Sequence, residues 1–111
     1  MRDVTIVRYQ THPETAEENQ RLIEQVMAEL NNRDPGGIRY TSFRLDDGVT
    51  FVHVVVNEDD SDPLSRSAAF TTFQTGFSER HVSATRTRNT ATVIGSYNFF
   101  AHGSRGLTRK E

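Results

Sequence analysis

The chain has 111 residues, a formal net charge of −2, no cysteine and no tryptophan. It has room for one domain, excludes disulfide and thiolate chemistry, and offers no overall attraction to nucleic acid or an anionic membrane. Hydrophobic residues make up 34% and mean hydropathy is −0.63, low for a small chain burying a core alone, which favours a partner subunit.

Val4 to Tyr9 (VTIVRY) is β-branched and aromatic and predicts a central strand. Its lead-in, Met1 to Thr5, has no apolar signal region, and no later run approaches the roughly 18 apolar residues of a membrane span, so a cytoplasmic protein is expected. Thr11 to Glu14 and Thr15 to Glu18 both carry capping-box spacing. Ala16, Leu22, Ile23, Val26, Met27 and Leu30 follow at three- and four-residue intervals and predict an amphipathic helix. It should stop near Arg33, where Asp34-Pro35-Gly36-Gly37 breaks the pattern.

Two apolar-rich runs, Ile38 to Leu45 and Val49 to Val56, flank Asp47-Gly48, which predicts a two-residue type I′ hairpin turn. That turn sets a register with Tyr40 opposite Val55, Ser42 opposite His53 and Arg44 opposite Phe51. Beyond it, Asn57, Asp59 and Ser61 place oxygens at alternate positions, as calcium loops do. The turn glycine and closing Glu are missing, with Asp62 and Ala68 in their places, so the run reads as a connector whose Asp62 caps a helix from Pro63. Leu64, Ala69, Phe70, Phe73 and Phe77 form a second apolar stripe and predict a helix from about Leu64 to His81. Ser83 to Thr90 reads as a connector, Ala91 to Phe100 as the last strand, and 101–111 as a polar tail outside the domain of residues 1–100.

The order β-α-β-β-α-β is the split arrangement of an α+β, ferredoxin-like fold: a four-stranded antiparallel sheet with two helices on one face. The hairpin register divides Phe43, Leu45, Val52, Val54 and Val56 from Ile38, Tyr40, Ser42, Arg44, Phe51, His53 and Val55. The aliphatic side is expected beneath the helices. The mixed side is expected to meet a second copy, with Tyr40, Ser42, Arg44, Phe51 and His53 as the homodimer interface. Phe70, Phe73 and Phe77 either fill the core or line a ligand cavity between helix and sheet.

Two families share this topology. Asp47 to Val54 resembles the third-strand signature of an RNA-recognition motif at Gly48, Phe51 and Val52, but it lacks the basic residue at 47 and the stacking rings at 49 and 54. RNA binding is not expected. The runs VTIVRYQTHPETAEENQRLIEQVMAEL, GGIRYTSFRLDDGVTFVHVVV and PLSRSAAFTTFQTGFSERH, in that order, resemble the antibiotic-biosynthesis-monooxygenase superfamily over about residues 3–100. The resemblance implies a dimeric α/β barrel and cofactor-independent oxygenation of an aromatic small molecule in a pocket between sheet and helices. The haem-degrading branch needs a Trp that this chain lacks.

Cofactor-free oxygenation calls for proton transfer beside an apolar pocket, and the candidate residues are His53, His81, Tyr40, Tyr97 and Asn98. His53, in the middle of a Val-rich strand, must be desolvated or paired. Its register places it on the expected dimer side, so an interface histidine competes with a catalytic one. His81 sits at a predicted helix C-terminus, where capping explains it. The four histidines lack metal-ligand spacing, and no metal or cofactor is expected. The competing reading is a non-catalytic homodimer that binds a small ligand or serves as an interaction module.

Overall fold

The computed structural model describes residues 3–99. Its elements are β1 (Asp3–Gln10), α1 (Ala16–Arg33), β2 (Ile38–Arg44), β3 (Thr50–Asn57), α2 (Ala68–Gln74), α3 (Phe77–Arg80) and β4 (Thr87–Ala91), with single 3-10 turns at Pro13–Thr15 and Pro63–Arg66. The strands form one antiparallel sheet in the order β2-β3-β1-β4, the ferredoxin-like α+β arrangement expected from the element order. Among the described residues no helix is long and apolar enough to cross a membrane.

Helix α1 forms where the apolar spacing predicts it. Leu22, Ile23 and Val26 are buried, each side chain contributing roughly 2 kcal/mol by leaving water. Neither capping box closes: no side chain caps α1, and Thr15 Oγ1 donates instead to the carbonyls of His12 and Arg80. The helix stops at Asp34, which takes the left-handed conformation (φ 49°) and bonds back to Leu30 O.

The hairpin has the expected register, with Tyr40 opposite Val55, Ser42 opposite His53 and Arg44 opposite Phe51. The turn differs from type I′. Only Gly48 has positive φ (81°), Gly48 N donates to Leu45 O, and Leu45 N donates to Thr50 O. Four residues therefore form the loop, and Asp47 is held there because its carboxylate accepts from the Val49 and Thr50 amides.

The two faces of the sheet are reversed relative to the sequence expectation. The helix-covered core contains Tyr9, Phe51 and Phe73 with α1 residues Ile23 and Val26, and Tyr40 packs against it. Tyr40, Ser42, Arg44, Phe51 and His53, expected at a dimer interface, thus lie on the face beneath the helices. Their polarity does not keep them out of a core because the hydroxyls and the imidazole hydrogen-bond one another. Among the described residues no helix covers the other face, where Ile6, Val52, Val54 and Val56 are only partly buried and Phe43 is exposed.

Two later elements also depart from expectation. The span 64–81 is broken rather than continuous. Asp62 makes no side-chain cap, Ser67 caps α2 by accepting from Phe70 N, and Thr75-Gly76 (Gly76 φ 81°) interrupts the path before α3. The last strand is Thr87–Ala91, not Ala91 to Phe100. Its register sets Ala91 opposite Val4 and Thr87 opposite Arg8, so β1, which starts at Asp3, supplies no partner for Val93 onward. A polar edge strand forms, as edges favour, and Val93, Ile94, Tyr97 and Phe99 are exposed. Phe100 and the tail 101–111 lie outside the described residues.

Candidate functional site

Strand alternation fixes the floor of the site. Val7 is opposite His53 and Tyr9 is opposite Phe51, so Val7, Tyr9, His53 and Val55 share the helix-side face. The broken second helical segment leaves space above them. A cavity of about 330 Å³ opens there, lined by Val7, Tyr9, Tyr40, His53 and Val55 from the sheet and by Leu64, Phe70, Phe73 and Phe77 from above, with Gln74 and Arg86 also lining it. Its size is at the small end for a small-molecule site. Core filling and cavity lining, set as alternatives for Phe70, Phe73 and Phe77, are not exclusive here: the three rings pack in or against the core and also line this cavity.

His53 is the polar centre of the floor and is 5% exposed. Its Nε2 lies 2.7 Å from Tyr9 Oη, while Nδ1 lies 2.8 Å from Tyr40 Oη and 2.9 Å from Ser42 Oγ. Behind Tyr9, Asn19 Nδ2 donates to Tyr9 Oη at 2.9 Å, and Arg80 Nε donates to Asn19 Oδ1 at 3.0 Å. Arg80 is itself buried at 4% exposure. Its guanidinium also donates to the carbonyls of Phe73 and Thr75 and lies 5.0 Å from the Phe73 ring centroid. Among the described residues no carboxylate is within salt-bridge distance of it. A cation is thus held by dipoles and ring faces at the inner end of a hydrogen-bonded chain.

Burial dominates the electrostatics of this cluster. It lowers the His53 pKa to about 4, so the imidazole is neutral at pH 7. Desolvation raises Tyr40 to about 12, opposed by a hydrogen bond with Ser42, and raises Tyr9 further, opposed chiefly by Asn19. Both phenols therefore remain protonated and can donate. A neutral ring clasped by neutral hydroxyls can orient a ligand oxygen and stabilise charge on it; it is a weak base.

The other sequence candidates are elsewhere. His81 ends α3, stacks on Phe77 at 4.3 Å between centroids, and donates from Nδ1 to Phe77 O at 3.0 Å; it caps the helix end and does not line the cavity. Tyr97 is 91% exposed, and Asn98 is also exposed, beyond the end of β4. Neither reaches the cavity. A second, wider cleft runs between α1 and β2, where Tyr40, Ser42 and Phe51 meet Ile23 and Met27. Tyr40 therefore borders both spaces. No group of three or more potential His, Asp or Glu metal ligands occurs among the described residues.

Sequence reasoning missed Tyr9, Asn19 and Arg80. Asn19 had left a signal, since positions 16, 19, 23 and 26 lie on one helical face and an Asn in an otherwise apolar stripe must find partners. Arg80 left none, because its burial depends on the break at Gly76.

No family model matches this chain, and no curated protein matches it in sequence. Solved structures do. A proposed antibiotic biosynthesis monooxygenase from Bacteroides thetaiotaomicron matches with a TM-score of 0.71 at 14% identity, over 84% of this chain and 90% of that one. Another from Nitrosomonas europaea matches with a TM-score of 0.66 at 18% identity, over 84% and 90%. SnoaB, a cofactor-independent oxygenase from Streptomyces nogalater, seen as a variant, matches with a TM-score of 0.60 at 19% identity, over 86% and 95%. Across nearly the whole described domain, this chain has the fold found in antibiotic biosynthesis monooxygenases.

Proposed function

We propose that this protein is a cofactor-independent monooxygenase that oxidises an aromatic small molecule, and that it works as a homodimer. The observation that carries the reading is the hydrogen-bonded His53, Tyr9 and Tyr40 cluster on the floor of a phenylalanine-lined cavity whose other polar side chains are Gln74 and Arg86. The fold shared with SnoaB, itself a cofactor-independent oxygenase, supports it.

An anthrone-type substrate suits both halves of the cavity. Its rings would lie against Phe70, Phe73 and Phe77, and its carbonyl oxygen would meet the Tyr40 hydroxyl beside His53. Stabilising negative charge on that oxygen favours the enolate, with the proton released to solvent past Gln74 and Arg86, both exposed. The enolate is electron-rich enough to react with dioxygen directly. The overall change, R2CH2 + O2 → R2C=O + H2O, balances because the substrate supplies all four electrons, so no external reductant is required.

The uncovered sheet face would receive the second subunit. Ile6, Phe43, Val52, Val54 and Val56 form an apolar surface of the kind that marks an interface. Light scattering should then give about twice the 12.6 kDa chain mass, and a strict monomer at micromolar concentration would refute the dimer. Oxygen uptake with a panel of anthrone and hydroquinone compounds tests the activity. Turnover of at least one, reduced in Tyr40→Phe, is expected. Saturable binding with no turnover of any would overturn the enzyme in favour of a ligand-binding module, a reading suggested by the engagement of both His53 ring nitrogens.

A further inference from the structure

We propose that Arg80 is a positioning residue that, through Asn19 and Tyr9, fixes His53 as the Nδ1–H tautomer, so that the buried chain ends as a donor aimed at an anionic ligand oxygen. The number of protons available along the chain fixes the direction of each bond. A guanidinium has no acceptor, so the contact from Arg80 Nε must fall on the amide oxygen of Asn19. The Asn19 amide nitrogen then faces Tyr9 and donates to its oxygen. Tyr9 is 1% exposed and has one proton to place, and its remaining partner is His53 Nε2 at 2.7 Å. Leaving that proton unpaired in the core would be costly, so Nε2 accepts.

A neutral imidazole that accepts at Nε2 carries its proton on Nδ1. That nitrogen faces Tyr40 Oη and Ser42 Oγ, and it donates to them. The two hydroxyls bring two further protons. At most one of them can be spent between the two hydroxyls; among the described residues neither has another side-chain or carbonyl acceptor, so at least one O–H remains for whatever occupies the cavity or the adjoining cleft. Each bond polarises the next in the same direction, from the Arg80 cation outward. The outer end is therefore built to hold an enolate or phenolate oxygen. It is not built to take a proton, because the basic lone pair of His53 is already occupied by Tyr9. The tautomer assignment stands apart from the oxygenase reading, whereas the anionic ligand rests on that reading's cavity.

Long-range proton–nitrogen NMR of the full chain at pH 7 reads the tautomer directly. The wild-type spectrum alone decides the first half: protonation at Nδ1 is expected, and protonation at Nε2 overturns it. Asn19→Asp keeps the shape but only accepts, so Tyr9 must turn its proton toward the carboxylate and His53 must switch to Nε2–H. Arg80→Lys, which still only donates, should retain Nδ1–H. Retention of Nδ1–H in folded Asn19→Asp would overturn the role of the chain. For the second half, 4-nitrophenol is the probe, titrated by absorbance. Its pKa should fall by at least about one unit on binding, a tenfold preference for the phenolate, and Asn19→Asp should abolish the shift. A raised pKa would overturn the anion assignment alone; no saturable binding would overturn it together with the cavity, while the tautomer stays settled by the imidazole spectrum.

Discussion

His53 is 5% exposed, and its burial lowers the imidazole pKa from 6.5 to about 4. As pH falls below 6.5 the unfolded chain takes up a proton at this residue while the folded protein does not, until pH approaches 4. The unfolded state therefore gains stability across that window, and folding loses what neutral His53 had contributed above it. Each pKa unit is worth about 1.4 kcal/mol, so the loss between pH 7 and pH 4 should be about 3 kcal/mol, levelling off below pH 4. Urea unfolding followed by far-UV circular dichroism, at fixed protein concentration, measures it in wild type and in His53→Gln. The carboxyls of Glu29, Asp47 and Asp59, which hydrogen bonds led by those from Ser67, Thr50 and Ser61 hold below the usual range, titrate in both proteins and cancel in the difference. His53→Gln should be less stable at pH 7 and lose less on acidification. Stability curves that run parallel from pH 7 to pH 4 would refute the buried, neutral imidazole.

Three further substitutions probe separate parts of the structure. Tyr9→Phe removes the hydroxyl shared by Asn19 and His53 and leaves two buried groups unpaired; about 2 kcal/mol should be lost in urea unfolding, and a loss below about 0.5 kcal/mol would mean water replaces it. Gly76→Ala places a side chain at φ 81° and should cost about 1 kcal/mol, measurable as a lower thermal midpoint. Val54→Asp adds charge to the uncovered sheet face and should yield a folded monomer in light scattering, whereas a surviving dimer would place the subunit contact elsewhere.

Much of the fold was legible in the sequence, and the site only in part. The alternation in β3 and the Asp47-Gly48 signal were enough for the hairpin register, because turn position and pairing register are geometrically linked even when the turn type differs. Which side of that hairpin met the helices was not legible from hydrophobicity. The rule that aliphatic residues go inside failed because Tyr40, Ser42 and His53 satisfy one another, and their partners Tyr9 and Asn19 come from other elements. β4 was misplaced for a related reason. Val93 and Ile94 have higher strand propensity than Thr87 to Ala91, but pairing needs a partner, and β1 begins at Asp3 opposite the end of that run. The Phe70, Phe73 and Phe77 stripe was visible; the break at Gly76 that brings Arg80 into the core was hidden by an otherwise continuous helical pattern.

In the proposed reaction the substrate is held in the cavity above His53. A crystal structure with a hydroxyanthraquinone, which resembles the product of the proposed reaction, tests it most directly. The ring system should lie among Phe70, Phe73 and Phe77 with a ligand oxygen within hydrogen-bond distance of Tyr40. A ligand found only in the cleft between α1 and β2, or a cavity closed by the phenylalanines under saturating ligand, would contradict the account.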